Sequence, residues 1–471
     1  MKVSGYFARE GEECTTAELF KKFCLSNETG EQFLSLLLQY GVLAPQKRSS
    51  GERVFKFSFV GIVLFKDLIL RCYPKYIRST ATPHKAFAQV MKVLRCHARQ
   101  SKVEFDPSGE NEPMDFSLIA EALALLDDYA EHGLYSHPVA DSEYNGTGEI
   151  LWDKTLGAVD PFFCENIPLY LDFHTKRTVD DTSDYVTRLH KFILTECSRL
   201  LEDADLLSMF GISPLRLSDE PREHFGPDDH ILQRLRAELD IQFESHKQEL
   251  LRRLLRFIER RESLTAEPLH LYGTTSFETL WEKVCARAFG NQLNVLLEKL
   301  PLRAPLHAAC RGETTLMGLI KRPEWHLASG DFSGNGTLIP DMAAFYRHNG
   351  ETVFLILDAK YYTYATLRDN HPGIGDIDKQ YLYVVAFRPF LDAHGIHHVQ
   401  NIFLLPCEGE RLEYTGYVEF SLFKNLGCEN IKIVLVPAEQ VFAAYLNNEH
   451  RKYDLAESLL NEVEKYCLMR H

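Results

Sequence analysis

The stretch from Leu338 to Lys360 constrains the fold of this chain more than any other. Two β-prone runs, around 339–346 and 352–360, flank Asn349-Gly350. Asn and Gly tolerate the positive φ angles of a two-residue turn, so the pattern predicts an antiparallel hairpin. With that turn, His348 pairs with Glu351. Seven residues further along each strand, Asp341 falls directly opposite Asp358.

Opposed residues in an antiparallel pair point to the same face, with Cβ atoms roughly 4.5–5.5 Å apart. Lys360 lies two residues beyond Asp358 and shares that face. Two carboxylates at such a separation repel each other unless something positive sits between them. A hard divalent cation meets the need, and Mg²⁺ takes its oxygens from one or two carboxylates, water and substrate phosphate. Asp341 and Asp358 are therefore the expected metal ligands, with Mn²⁺ able to substitute. Lys360 would favour the hydroxide form of the attacking water and offset charge on the transition state. This set is the minimum for phosphodiester hydrolysis. As a bare pattern, PD, a gap and DxK arises often by chance. The register and the apolar run Val353–Leu357, which ends in two charges, make it specific here.

The rest of the chain bounds this reading. At 471 residues, 45% hydrophobic and 25% charged, it is too long for one core, and two or three domains are expected. No apolar run reaches the roughly 18 residues of a membrane span, and the opening residues lack the core of a secretory signal. Eleven dispersed cysteines without a CxxC pair suit a reducing cytoplasm. A net charge of −15 weighs against a protein that coats nucleic acid, but not against a local basic surface. No nucleophile elbow, dinucleotide fingerprint or Walker A loop is present, and His371, His397 and His398 lack metal-site spacing. The glycine-rich run Gly330–Gly336 reads as a flexible loop bordering the site.

Three regions are expected. Residues 1–95 open with a helix start at Thr15-Thr16, a second helix over Gly30–Tyr40 and a β run over Val54–Phe65, an order that resembles a winged-helix arrangement. Residues 96–262 read as mainly helical, with a helical apolar period over 116–131 and one long helix from Ile231 to Glu262. Its last turns carry Arg252, Arg253, Arg256, Arg260 and Arg261. That face suits phosphates, or else ion pairs with Glu249, Glu259 and Glu262. Residues 263–471 alternate helices and strands as a mixed α/β domain: strands near 339–346, 352–360, 398–406 and 431–437, a helix near 377–391, and two closing helices.

With its Pro340-Asp341 and Asp358-Ala359-Lys360, this last region resembles the PD-(D/E)xK nuclease superfamily. The resemblance implies a mixed sheet flanked by helices with the metal site on a central hairpin. It also implies a glutamate on the preceding helix, matched by Glu282 with Glu278 as the alternative, and a Gln or Lys on a following helix, matched by Gln380. The Gln380 amide would orient water or phosphate; a plain helix-surface residue is the competing reading. Further segments, Phe59-Val60-Gly61-Ile62-Val63, Tyr73-Pro74-Lys75-Tyr76, Asn145 to Thr155 and Asp358 to Tyr362, resemble the LlaJI family of restriction proteins and the related McrC proteins. That likeness implies the Mg²⁺-dependent nuclease subunit of a bacterial restriction system. It would cut double-stranded DNA when driven by a separate McrB-like AAA+ GTPase, onto which residues 1–262 would dock. Within that picture Trp152, Lys154 and Thr155 are either partner contacts or a buried Trp with a capping Thr. The same chemistry could serve an exonuclease of DNA repair or recombination, and a nuclease-like fold could serve a non-catalytic adaptor.

Overall fold

The computed structural model describes residues 4–46, 53–66, 68–101, 118–165, 167–181, 183–203, 205–263, 269–302, 306–307, 310, 312, 314–447 and 455–468. The chain divides into two compact units: one joins residues 1–112 to 273–471, and the other spans 113–272. The fold is mixed α/β. No helix among the described residues is long and apolar enough to cross a membrane.

The first unit begins with β1 (Ser4–Arg9), β2 (Glu13–Thr15), α1 (Thr16–Lys22), α2 (Asn27–Gln39), β3 (Leu43–Gln46), β4 (Val54–Phe57), β5 (Val60–Phe65), β6 (Leu68–Tyr73) and α3 (His84–Ser101). Thr15 caps α1 in a full capping box with Glu18, which satisfies N–H groups that a helix start otherwise leaves bare. The β run expected over Val54–Phe65 is two strands, and they belong to different sheets. β4 lies between β2 and β3, whereas β5 pairs with β6, itself parallel to β1. The chain turns at Ser58, whose N–H bonds to Val42 O and whose hydroxyl bonds to Gly41 O.

The second unit holds α4 (Leu118–His132), β7 (Pro138–Tyr144), α5 (Trp152–Ala158), β8 (Phe162–Cys164), β9 (Ile167–Leu169), β10 (His174–Asp180), α6 (Tyr185–Asp203), α7 (Leu206–Phe210), α8 (Asp228–Ile241) and α9 (Ser245–Ser263). The single helix expected from Ile231 to Glu262 is broken between α8 and α9. At the break the Gln242 side-chain oxygen accepts the N–H groups of Phe243 and Glu244. This local bond competes with helix continuation. The arginine face is spent on ion pairs rather than held open for phosphate. Arg256 and Arg260 each lie 3.0 Å from Glu121, which is only 3% exposed, and Arg253 and Arg256 also reach Glu249. The side chains of Arg261 and Glu262 lie outside the described residues. Trp152 is half exposed, not buried. Thr155 is not a cap either: it sits inside α5, fully buried, and its hydroxyl accepts the His174 N–H at 2.9 Å.

At the boundary between the units lies β11 (Leu269–Thr274), after which the first unit resumes. It continues with α10 (Phe277–Ala288), β12 (Glu324–Leu327), β13 (Gly330–Ser333), β14 (Met342–His348), β15 (Glu351–Ala359), α11 (Ile374–Ala393), β16 (His398–Cys407), β17 (Glu413–Val418), α12 (Ser421–Lys424), β18 (Ile431–Pro437), α13 (Ala438–Asn447) and α14 (Leu455–Leu468). The run Gly330–Gly336, expected as a loop, instead begins with β13, which pairs with β12. Strands β14-β15-β16-β18-β17 form one mixed sheet, with β15, β16 and β18 parallel and the two outer strands antiparallel. Fully covered β15 reads as an unbroken apolar run because both of its faces are buried. Phe345, Phe354, Ile356, Tyr381, Phe387 and Phe390 pack together on the α11 side.

Candidate active site

Asn349 and Gly350 both take positive φ, 48° and 83°. This is the turn the sequence predicts, and the ladder runs from His348↔Glu351 to Met342↔Leu357. Carried one step past its last pair, that register sets Asp341 against Asp358, whose carboxyl feels the Asp341 charge. The Ala359 N–H donates to Asp341 Oδ2 at 3.3 Å, and the Lys360 N–H continues the ladder to Leu404 O at 2.9 Å. These bonds hold both residues where the strand ends.

Lys360 Nζ stands 3.0 Å from Asp358 Oδ2 and 3.0 Å from Asp376 Oδ1. Asp376 sits in the first turn of α11, where its other oxygen accepts the Gly373 N–H. Asp358 is 5% exposed, and its Oδ1 is buried without a donor. Burial first, and then the charge of Asp341, push the Asp358 carboxyl up to about 8, against the opposing pull of Lys360. A shared proton, or a cation, is what the two facing carboxylates lack. Burial opposes the charge of Lys360, yet Asp358 and Asp376 outweigh it and hold the ammonium above its usual range.

Glu282 comes from α10. That helix buries Phe277, Leu280, Trp281, Val284, Cys285 and Ala288 along one stripe and leaves Glu278 and Glu282 off it. Just past the helix, Asn291 and Gln292 bond along the free edge of β14: Asn291 to Asp341 O and Ala343 N, Gln292 to Phe345 N and O. They tie α10 to the aspartate strand. Burial, followed by the charge of Asp341, raises Glu282 to about 7, while Lys360 pulls it down. Glu278 adds a smaller push on Glu282 and also acts on Glu10 and Lys75.

Asp341, Asp358, Lys360 and Glu282 are thus brought together. Gln380 is placed otherwise. It is fully buried rather than on the helix surface, and its amide donates to Ile356 O at 3.5 Å, two residues before Asp358. Two neighbours escaped the sequence reading. Asp376 holds Lys360, and its only signal was an acidic residue three positions into a helix after Gly373. Tyr383 donates to Ile339 O at 2.9 Å; burial and the charges of Asp341 and Asp358 push its phenol up to about 12.

Tyr361, next after Lys360, is buried and anchors the strand end. Its hydroxyl donates to Glu10 and accepts the Lys75 N–H at 3.2 Å, and the Lys75 ammonium lies 4.1 Å over its ring. The Tyr73-Pro74-Lys75-Tyr76 and Asp358–Tyr362 segments, far apart in sequence, therefore meet in the first unit.

The facing carboxylates of Asp341 and Asp358 suit a hard cation such as Mg²⁺, and the donorless Asp358 Oδ1 is the atom such an ion would satisfy. The raised carboxyls also set a pH dependence. Burial and neighbouring charge raise the Asp358 and Glu282 carboxyls to about 8 and about 7 in the folded chain, well above the ordinary carboxylate range of an unfolded one. The folded chain keeps protons that the unfolded chain has released. The stability this gives is complete below about pH 4 and is lost as pH rises through about 8. Denaturation of the metal-free chain between about pH 5 and pH 9 should show the midpoint falling, then levelling, and Asp358→Asn should remove much of the slope. An identical slope in the variant would refute the assignment.

The family model described as LlaJI restriction endonuclease matches residues 59–305 and 313–440. The "Type II restriction enzyme BsuMI component YdjA" of Bacillus subtilis (strain 168) is 26% identical over 450 residues, covering 92% of this chain and 89% of its own. Among solved structures, a chain in the half-complex of Thermococcus gammatolerans McrB AAA+ hexamers with bound McrC has 14% identity and a TM-score of 0.37, over 94% of this chain and 100% of its own. A chain of the Thermococcus gammatolerans McrBC complex has 13% identity and a TM-score of 0.22, over 54% and 80%.

Proposed function

The chain belongs to the LlaJI restriction endonuclease family, and from that premise we propose that it is the Mg²⁺-dependent DNA-cutting subunit of a bacterial restriction system, driven by a partner AAA+ GTPase. The observation that carries the chemistry is the facing pair Asp341 and Asp358, with a buried carboxylate oxygen that has no donor, beside an ammonium clamped by two carboxylates.

Asp341 and Asp358 would hold the cation, which when bound supplies Lewis-acid polarisation of the phosphate and charge neutralisation. Lys360, flanked by Asp358 and Asp376, stays protonated at neutral pH. Its role is therefore to donate hydrogen bonds to the reacting phosphate and offset its growing negative charge, not to take a proton. Glu282, poised near neutrality, is the group suited to accept a proton from the attacking water. Tyr361, Asp376 and the Asn291-Gln292 clasp fix these groups in position. Gln380 acts through β15, by holding the Ile356 carbonyl beside the site.

Support for a separate partner comes from three sides. The chain carries no Walker A loop for nucleotide, and its Bacillus relative is described as one component of an enzyme. The second unit also exposes Phe162, Phe163, Ile167, Leu169 and Leu171 on and beside the β8–β9 hairpin. So much apolar surface on one hairpin suits burial against another protein.

The test is plasmid cleavage by the purified chain in Mg²⁺, with and without GTP and a McrB-like AAA+ protein from the same source. Cutting only in the complete mixture is expected. Cutting by the chain alone, from ends, would point to a repair exonuclease. No cutting in either case would leave a non-catalytic adaptor.

A further inference from the structure

The second unit holds a cluster of ligating side chains that the nuclease chemistry does not use. Asp128 and His132, four residues apart at the carboxyl end of α4, share one helix face. His246 stands in the first turn of α9. His246 Nε2 lies 3.0 Å from Asp128 Oδ1, and His132 Nδ1 lies 3.7 Å from the same oxygen. The two imidazole rings are 3.9 Å apart between centroids. One ligand atom from each of the three residues lies within 4.8 Å of the other two.

Two unsatisfied groups mark this cluster as more than a surface ion pair. The Asp128 side chain is 12% exposed, and its Oδ2 is buried without a donor. His190, fully buried, feels the charge of His246. Its Nδ1 accepts the Tyr135 N–H at 3.0 Å, so in the neutral ring the proton sits on Nε2, and that atom is buried without an acceptor. Buried polar atoms of this kind are normally paired.

We propose that Asp128, His132 and His246 bind a divalent transition-metal ion of the zinc class, which clamps the end of α4 to the start of α9. Two imidazoles and one carboxylate suit zinc, whereas the all-oxygen set of the nuclease site suits magnesium, so the two sites separate by metal chemistry. Tetrahedral zinc with bonds of roughly 2.0–2.1 Å places its ligand atoms roughly 3.3 Å apart. The separations of 3.0 and 3.7 Å to Asp128 Oδ1 bracket that value. The ion takes the place of the direct contact between His246 Nε2 and Asp128 Oδ1. Three protein ligands leave a fourth position for water.

The experiment is zinc binding to the full-length chain in millimolar Mg²⁺, which occupies the all-oxygen site. Bound zinc is counted by elemental analysis after dialysis, and the melting temperature is followed on adding Zn²⁺. One zinc per chain and an upward shift are expected. His246→Ala should weaken binding at least ten-fold and abolish the shift. His132→Ala, at a half-exposed helix end where folding tolerates the change, should do the same. Co²⁺ should give a visible absorption band in the wild type that is missing in both variants. Equal zinc retention by the wild type and both variants would place the metal elsewhere, for example on the cysteines, and overturn the proposal. Failure of the wild type to retain zinc would overturn it as well. Neither outcome bears on DNA cleavage.

Discussion

Asp358→Asn is expected to lower DNA cleavage about a thousand-fold or more while leaving the fold at least as stable as the wild type at pH 8. The replacement is nearly isosteric, so packing around this 5% exposed side chain is kept. What changes is charge. In the wild type, burial and Asp341 work against the ionised carboxylate strongly enough to hold it protonated to about pH 8. An amide relieves that repulsion and can donate to Asp341 from the side where Asp358 Oδ1 has no partner. The same swap removes one of the two proposed cation ligands, and losing preorganised charge stabilisation of this kind costs on the order of 10²–10³ in rate or more. Function and stability are therefore predicted to move in opposite directions, which is the mark of a strained functional site rather than a structural ion pair. Plasmid cleavage and urea denaturation on the same preparation read both. A variant that cuts at the wild-type rate would remove Asp358 from the site; one that unfolds would show the residue to be structural.

How far this site could be read from sequence depended on distance along the chain. The facing aspartates were legible because a two-residue turn fixes the register of everything behind it, and Asn349-Gly350 admits few other turns. Lys360 followed from strand alternation. Glu282 needed the family resemblance, since nothing local tells which of two glutamates on α10 faces Asp341. Asp376 was missed because it enters from a helix beyond an irregular connection, and a helix-start acid ordinarily has capping as its whole explanation. The arginines of α9 were legible as an ion-paired face, since Arg253 and Arg256 do reach Glu249, but their buried partner was not. Their partner Glu121 lies more than a hundred residues earlier and was not among the glutamates within reach on the same helix. The break between α8 and α9 carries no Gly or Pro; a glutamine side chain bonding its own neighbours makes it. Gln380, whose polarity suggested a surface or a site, is buried because its amide caps a strand carbonyl.

Lys360→Met separates the role of the ammonium from that of the carboxylates. The methionine keeps the length and packing of the stem and removes the charge that stands 3.0 Å from both Asp358 and Asp376. Stripping one partner from a buried pair typically costs about 3–5 kcal/mol. Here the loss should be well below that at pH 7. Lys360 is what pulls the Asp358 carboxyl down, so without it the carboxyl titrates still higher and a proton covers the missing charge. Asp376, over a third exposed, falls back on water. The destabilisation should then appear chiefly above pH 8, where that proton must leave. Divalent-ion affinity should hold or rise, because a positive neighbour of the cation has gone. Cleavage should nevertheless fall about a thousand-fold, since no remaining cation meets the charge that builds on the phosphate. Asp358→Asn is expected to lose metal affinity and cleavage together, Lys360→Met cleavage alone, and calorimetric Mg²⁺ titration beside the plasmid assay distinguishes the two. If Lys360→Met lost metal binding as well, the lysine would be holding the ligands in place; if it cut normally, the ion pair would be only part of the strand's ending.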